Sequence, residues 1–211
     1  MLRIDQYKTI IFDLGGVIIN LKENDTIAAF QQLSNLPTED LIAAYKPTSY
    51  TFSALEDYEV GKISSKEFRE ILRKTLKISA DDQTIDHAWN QILGDIPTIR
   101  IDILKKLAKT HQLILLSNTN EIHRDAFEPI FSKQSGFNRF SDLFQHVYYS
   151  FEMRDRKPNL SIYRTIIDNH KLNPSQTLFI DDNHKNAVMA KRTGIHTIHL
   201  TLPQMTMEQL F

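Results

Sequence analysis

Five short apolar runs, each followed by a segment of helical character, constrain this chain more than any other feature. They are TIIF (9–12), QLILL (112–116), HVYY (146–149), TLFI (177–180) and HTIHL (196–200). Strands that alternate with helices form parallel βαβ units, because a parallel neighbour is reached only through a crossover. The expected fold is therefore α/β, with a doubly wound, Rossmann-like parallel sheet. Ligands of such sheets bind beyond the carboxyl ends of the strands.

The spacing of the runs is uneven. From Asp13 to LILLSN the chain runs about a hundred residues, where a βαβ unit takes roughly 30. The intervening sequence reads as helices. SSKEFREILRKTLK (64–77) offers Ser64 and Glu67 as a capping box, then Phe68, Ile71, Leu72 and Leu76 on one face. NDTIAAFQQLSN and ADDQTIDHAWNQIL carry weaker forms of the same pattern. A helical subdomain over residues 20–96 is expected, inserted after the first strand of a core formed by residues 1–19 and 97–211. Pro97 suits the opening of the helix that leads back.

With 211 residues, 41% of them hydrophobic, the chain can bury a core without staples. A net charge of -1 without a long basic run gives no footprint for nucleic acid or an anionic membrane, so a small diffusible ligand is expected. The absence of cysteine excludes disulfides, thiol nucleophiles and thiolate-held zinc. MLRIDQYKTIIFDLGG is too polar for a secretory signal, and no stretch approaches the roughly 18 apolar residues of a membrane span. A cytoplasmic location is the expectation; monomer and homodimer both stay open.

The chemistry concentrates at strand ends. FDLGGVIINL (12–21) ends an apolar run with a carboxylate and two of the chain's six glycines, a combination suited to a backbone-lined site beside Asp13. Ser117 and Asn118 follow LILL, Lys157 lies a few residues beyond HVYYS, and Asp181 and Asp182 follow TLFI. In a parallel sheet these ends open on one edge. Two acids, a lysine, a hydroxyl and glycine amides suit a divalent cation with a phosphoryl group. Carboxylates are hard ligands for Mg²⁺, and lysine spreads positive charge over a phosphoryl group in transfer. Asp13 is the choice for a nucleophile that forms an aspartyl-phosphate.

FDLGGVI, LLSNTN, RKP and FIDDNHKN, in that order, resemble the four motifs of the haloacid dehalogenase-like (HAD) hydrolases, and the helical insert resembles the cap of their first subfamily. The same motifs, with YEVGKISSKEF in the cap, resemble the branch containing bacterial α-D-glucose-1-phosphate phosphatase and the phosphatase domain of epoxide hydrolases. The resemblance implies Asp13 as nucleophile and metal ligand, the Gly15 carbonyl and Asp182 as further ligands of Mg²⁺, and Ser117, Asn118 and Lys157 as phosphate contacts. Asp181 and Asn186 would stand behind them. It further implies a phosphatase of a small phosphorylated metabolite, such as glucose 1-phosphate.

Gly15 departs from the pattern of most family phosphatases, whose second aspartate protonates the leaving oxygen. Such a group contributes about 10²–10⁴-fold. A leaving group that needs little protonation, as an anomeric hydroxyl does, or an acid from the cap or from INLKEND would answer the loss. Two rivals keep the fold: a 2-haloacid dehalogenase, which attacks carbon without a metal, and a phosphate-sensing protein of low turnover.

Each residue alone has an ordinary reading: a turn at FDLGG, a helix N-cap at Ser117 or Asn118, a solvated lysine at 157, first-turn acids at 181 and 182. Arg154 and Arg156 are candidates for a substrate anion, and Tyr45, Tyr50, Phe52 and Tyr58 for the cleft or the packing of the cap. His184 is a minor candidate for the site, whereas His196 and His199 read as structural.

Overall fold

The computed structural model describes residues 3–44 and 46–211. Strands β1 (Thr9–Phe12), β2 (Gln112–Ser117), β3 (His146–Tyr149), β4 (Thr177–Asp181) and β5 (His196–His199) form one sheet in the order β3-β2-β1-β4-β5. Every neighbouring pair is parallel. From β1 the chain builds outward through β2 to β3, then returns to set β4 on the other side of β1. The order therefore reverses beside β1, and a crevice opens at such a switch point.

Between β1 and β2 come α1 (Glu23–Leu33), α2 (Thr38–Ala44), α3 (Tyr50–Glu59), α4 (Ser65–Leu76), α5 (Asp82–Trp89) and α6 (Thr98–Leu107). Then follow α7 (Glu121–Ser135), α8 (Ser150–Met153), α9 (Leu160–His170) and α10 (His184–Lys191). Successive strand residues point to opposite faces. Ile10, Phe12, Leu113, Leu115, Leu178 and Ile180 enter one core, with Leu104 of α6 and Phe127 of α7. Ile11, Ile114, Leu116 and Phe179 enter the other, with Ile162 and Ile166 of α9 and Ala190 of α10. Helices cover both faces, which is why the central strands β1, β2 and β4 read as near-continuous apolar runs.

Helices α1 to α5 share a separate core of Phe30, Leu41, Tyr58, Phe68, Leu72, Leu76, Ile85 and Trp89. The Ser64–Glu67 capping box starts α4, whose Phe68, Leu72 and Leu76 are fully buried; Ile71 is half-buried at the edge of that stripe. At the base of the insert its two connecting segments pair, through Lys22 N donating to Ile92 O (2.8 Å) and Gly94 N to Asn20 O (2.8 Å). The start of α7 also enters the insert. Ile122 joins its core, the Ile122 amide donates to the Tyr58 hydroxyl (3.1 Å), and His123 stacks on Trp89 with centroids 5.0 Å apart. Burial pushes the His123 imidazole down to about 3, so it serves there as a neutral ring.

Candidate active site

β1 ends at Phe12, and the Asp13 amide continues the ladder by donating to Ile180 O (2.9 Å). Asp13 and Asp181 thus stand level on the two strands that flank the switch point. Lys157 reaches between them: its Nζ lies 2.7 Å from Asp13 Oδ1 and 2.8 Å from Asp181 Oδ2, and its side chain is 1% exposed. It is not the solvated loop lysine that its position before Pro158 suggests. Asp13, Asp181 and Asp182 each offer an oxygen within 4.8 Å of the others.

Three carboxylates against one ammonium leave this cluster two charges short of neutrality. Burial pushes Asp13 well above the usual carboxylate range, and Asp181 and Asp182 add to the effect while Lys157 opposes it. Burial and then the charge of Asp181 raise Asp182 to about 6. Burial alone would lower the Lys157 ammonium, but the two facing carboxylates outweigh it and raise it. The donor set is all oxygen and its missing charge is that of one divalent cation, so the residues present fit Mg²⁺.

Asp181 is fully buried and holds more than the lysine. It accepts from the Asn183 amide (2.7 Å) and, through both oxygens, from Asn186 Nδ2 (3.1 Å each). It belongs to β4, and α10 is capped by Asn183, whose side chain accepts from Lys185 N; neither acid is in the first turn of that helix. Asn120 likewise caps α7, which removes the N-cap reading of Ser117 and Asn118. Ser117 is buried at the tip of β2. The Asn118 side chain grips the backbone of Lys157 instead, accepting from its N–H (2.9 Å) and donating to its carbonyl (2.8 Å).

The first glycine of the pair lies under Leu21: a Cβ on Gly15 would stand 3.1 Å from Leu21 Cδ1. The second, Gly16, has φ +68, and a Cβ there would overlap Asp182 Oδ2. This turn has to be glycine for the carboxylate to approach. Gly16→Ala is expected to cost about 1–3 kcal/mol through left-handed backbone strain and to weaken cation binding at Asp182. Urea melts with and without Mg²⁺ measure both.

A cleft of about 670 Å³ opens beside Asn118, Lys157 and Asn186. Its far wall is one face of α3 and the turn after it: Phe52, Ser53, Glu56, Asp57 and Val60, while Thr51, Ala54 and Tyr58 of α3 are buried. Of the four candidate aromatics, Phe52 lines the cleft, Tyr58 packs in the insert and Tyr50 is exposed; Tyr45 lies outside the described residues. Arg154 and Arg156 line the cleft but are engaged, Arg154 with Gly61 O and Arg156 with Glu56 and Glu59. His184 is exposed and lies edge-on to His199, 5.3 Å between centroids. His199, read as structural, sits with Nε2 3.0 Å from the carbonyl oxygen of Asp182. His196 pairs with Tyr7 at the start of β5.

A parallel sheet that gathers an aspartate, a lysine and an acid pair at its switch point defines a class of α/β hydrolases. The chain belongs to the haloacid dehalogenase-like hydrolases, whose family profile matches residues 7–194. It is 28% identical over 191 residues to D-ribitol-5-phosphate phosphatase of Bacteroides thetaiotaomicron, across 90% of each chain. The HAD-family enzyme BT-2542 of the same bacterium, solved with magnesium and inorganic phosphate, is 32% identical, with a TM-score of 0.84 over 93% of this chain and 96% of that one. A HAD-like hydrolase from Porphyromonas gingivalis is 33% identical, with a TM-score of 0.80 over 92% and 91%. No helix among the described residues is long and apolar enough to cross a membrane.

Proposed function

We propose that this chain is a Mg²⁺-dependent phosphatase of a small phosphorylated metabolite, a sugar or polyol phosphate, acting through an aspartyl-phosphate on Asp13. The observation that carries this reading is the two-charge deficit among Asp13, Asp181 and Asp182 around Lys157. Displacement of halide from carbon needs no cation, and such a cluster would have no use in it. The kinship with D-ribitol-5-phosphate phosphatase points the same way.

In this reading Asp13, Asp182 and the Gly15 carbonyl would hold the cation. When bound, Mg²⁺ would neutralise the phosphoryl oxygens beside it. Lys157 and Ser117, with Asn118, meet the remaining oxygens. One Asp13 oxygen attacks phosphorus, the bond to the substrate oxygen breaks, and that oxygen leaves with the bonding electrons and takes a proton from solvent water. Water then attacks the same phosphorus, freeing inorganic phosphate and restoring the Asp13 carboxylate. Asp181 and Asn186 keep Lys157 in place. Residues 20–96 act as a cap, with α3 facing the bound metabolite and excluding water.

Gly15 itself offers no carboxylate at the usual place of the proton donor, and Leu21 packs beside it. Substrates then rank by leaving group: an anomeric 1-phosphate, with its more acidic hydroxyl, needs less help than a primary 5-phosphate. Phosphate release from a panel containing glucose 1-phosphate and ribitol 5-phosphate, in Mg²⁺ and in EDTA, tests the proposal. Turnover of one or a few members, lost in EDTA, is expected. Folded protein that releases phosphate from none of them in Mg²⁺, or equally well in EDTA, would overturn it.

A further inference from the structure

We infer that Arg156 is a positioning residue for Lys157, tying the loop that carries the lysine to helix α3 of the insert; the inference rests on the phosphatase reading for its kinetic consequence. Arg156 precedes Lys157 directly, and its guanidinium spans two carboxylates of α3, with Nη1 2.6 Å from Glu56 Oε1 and Nη2 2.9 Å from Glu59 Oε2. Glu56 and Glu59 are three residues apart and so share one side of the helix. A planar fork engaging two acids fixes orientation as well as distance.

The rest of the loop is held independently. Asp155 accepts from the Arg156 amide (2.8 Å), from Asn159 Nδ2 (2.7 Å) and from Ser161 Oγ (2.5 Å). Asn118 grips the Lys157 peptide from the sheet side. Arg156 supplies the opposing grip, from the insert. Close approach on that side is built in: Gly61 has φ +64, a Cβ on it would overlap the Phe151 carbonyl oxygen, and its own carbonyl accepts from Arg154.

The pair is expensive for a simple tether. Side-chain exposure is 22% for Arg156 and 16% for Glu59, against 50% for Glu56, and Arg156 Nε is buried without a hydrogen-bond partner. Replacing the buried part of such a pair by apolar residues of similar volume is often neutral for stability. What they do not supply is register, and the register at stake is that of the next residue, whose Nζ bridges Asp13 and Asp181. Movement of α3 is thereby transmitted to the lysine that faces the phosphoryl group.

Arg156→Met, the pair Glu56→Gln/Glu59→Gln, and the triple variant form a cycle. Misplacing a catalytic group by about 1 Å costs on the order of 100-fold, so Arg156→Met is expected to lower kcat and kcat/KM together by roughly ten- to a hundredfold. The glutamine pair is expected to do the same, with the triple variant no slower than either, and Arg156→Lys to recover part of the loss. Unchanged kcat with a lowered melting temperature, or effects that multiply in the triple variant, would reduce Arg156 to a structural tether. A crystal structure of Arg156→Met reads the inference without turnover: Lys157 Nζ is expected to leave its 2.7 Å contact with Asp13, and an undisturbed contact overturns it. Wild-type protein that hydrolyses nothing would refute the phosphatase reading while leaving that structural result to decide the positioning role.

Discussion

Asp13→Asn is expected to abolish phosphate release, by on the order of 10⁴-fold or more, while the protein folds at least as well as the wild type. The two halves have one cause. Asp13 sits buried against Asp181 and Asp182, with only Lys157 to compensate, and its carboxylate is disfavoured there first by burial. A neutral amide of the same shape removes one charge from a crowded site and leaves Lys157 its contact with Asp181. It also removes the attacking oxygen, since an amide oxygen is a poor nucleophile towards a phosphate ester. Phosphate release and thermal melts on one preparation test both halves. A variant that keeps turnover, or one that loses activity only because it unfolds, would contradict this assignment.

Lys157→Met carries the opposite sign for stability. The ammonium is the cation 2.7 and 2.8 Å from two buried carboxylates, and removing one partner of a buried pair costs about 3–5 kcal/mol. Three acids within 4.8 Å then repel one another without compensation. A divalent cation restores positive charge at the same place, and a ligand that binds only the folded state stabilises it by mass action. The destabilisation is therefore expected to be larger in EDTA than in millimolar Mg²⁺, with turnover depressed in both. Urea denaturation in the two buffers decides it. Equal losses in both would mean that Mg²⁺ binding does not sense the lost ammonium, which contradicts a cation held at this cluster.

The three central strands were legible because both of their faces are buried, so each appears as an apolar run, while the edge strands β3 and β5 are only partly buried; the observed strands coincide with TIIF and HVYY and differ by one residue at the ends of the other three. The site was legible for a related reason. Polar residues directly after such runs have no place in the core, and parallel pairing brings them to one edge. Helix α4 announced itself through its capping box and apolar stripe. Helices α2 and α3 did not: α3 buries Thr51, Ala54 and Tyr58, small or polar residues that make no hydrophobic period.

What sequence could not carry was contact between distant segments. The grip of Asn118 on the Lys157 backbone joins residues 39 apart, and Arg156 meets Glu56 across 100. Leu21 beside Gly15 is a local contact, yet it depends on the turn at Gly16. His123 begins a core helix but ends in the packing of the insert, stacked on Trp89, and no periodicity marks that crossing.

The covalent role of Asp13 is the centre of the account, and chemical trapping tests it directly. Protein turning over its best substrate in Mg²⁺ is quenched, reduced with borohydride and digested, and the peptide containing residue 13 is examined by mass spectrometry. An aspartyl-phosphate is reduced to homoserine, so homoserine at position 13 is expected, absent in EDTA and absent without substrate. Phosphate released with Asp13 unmodified, or homoserine at another aspartate, would contradict it.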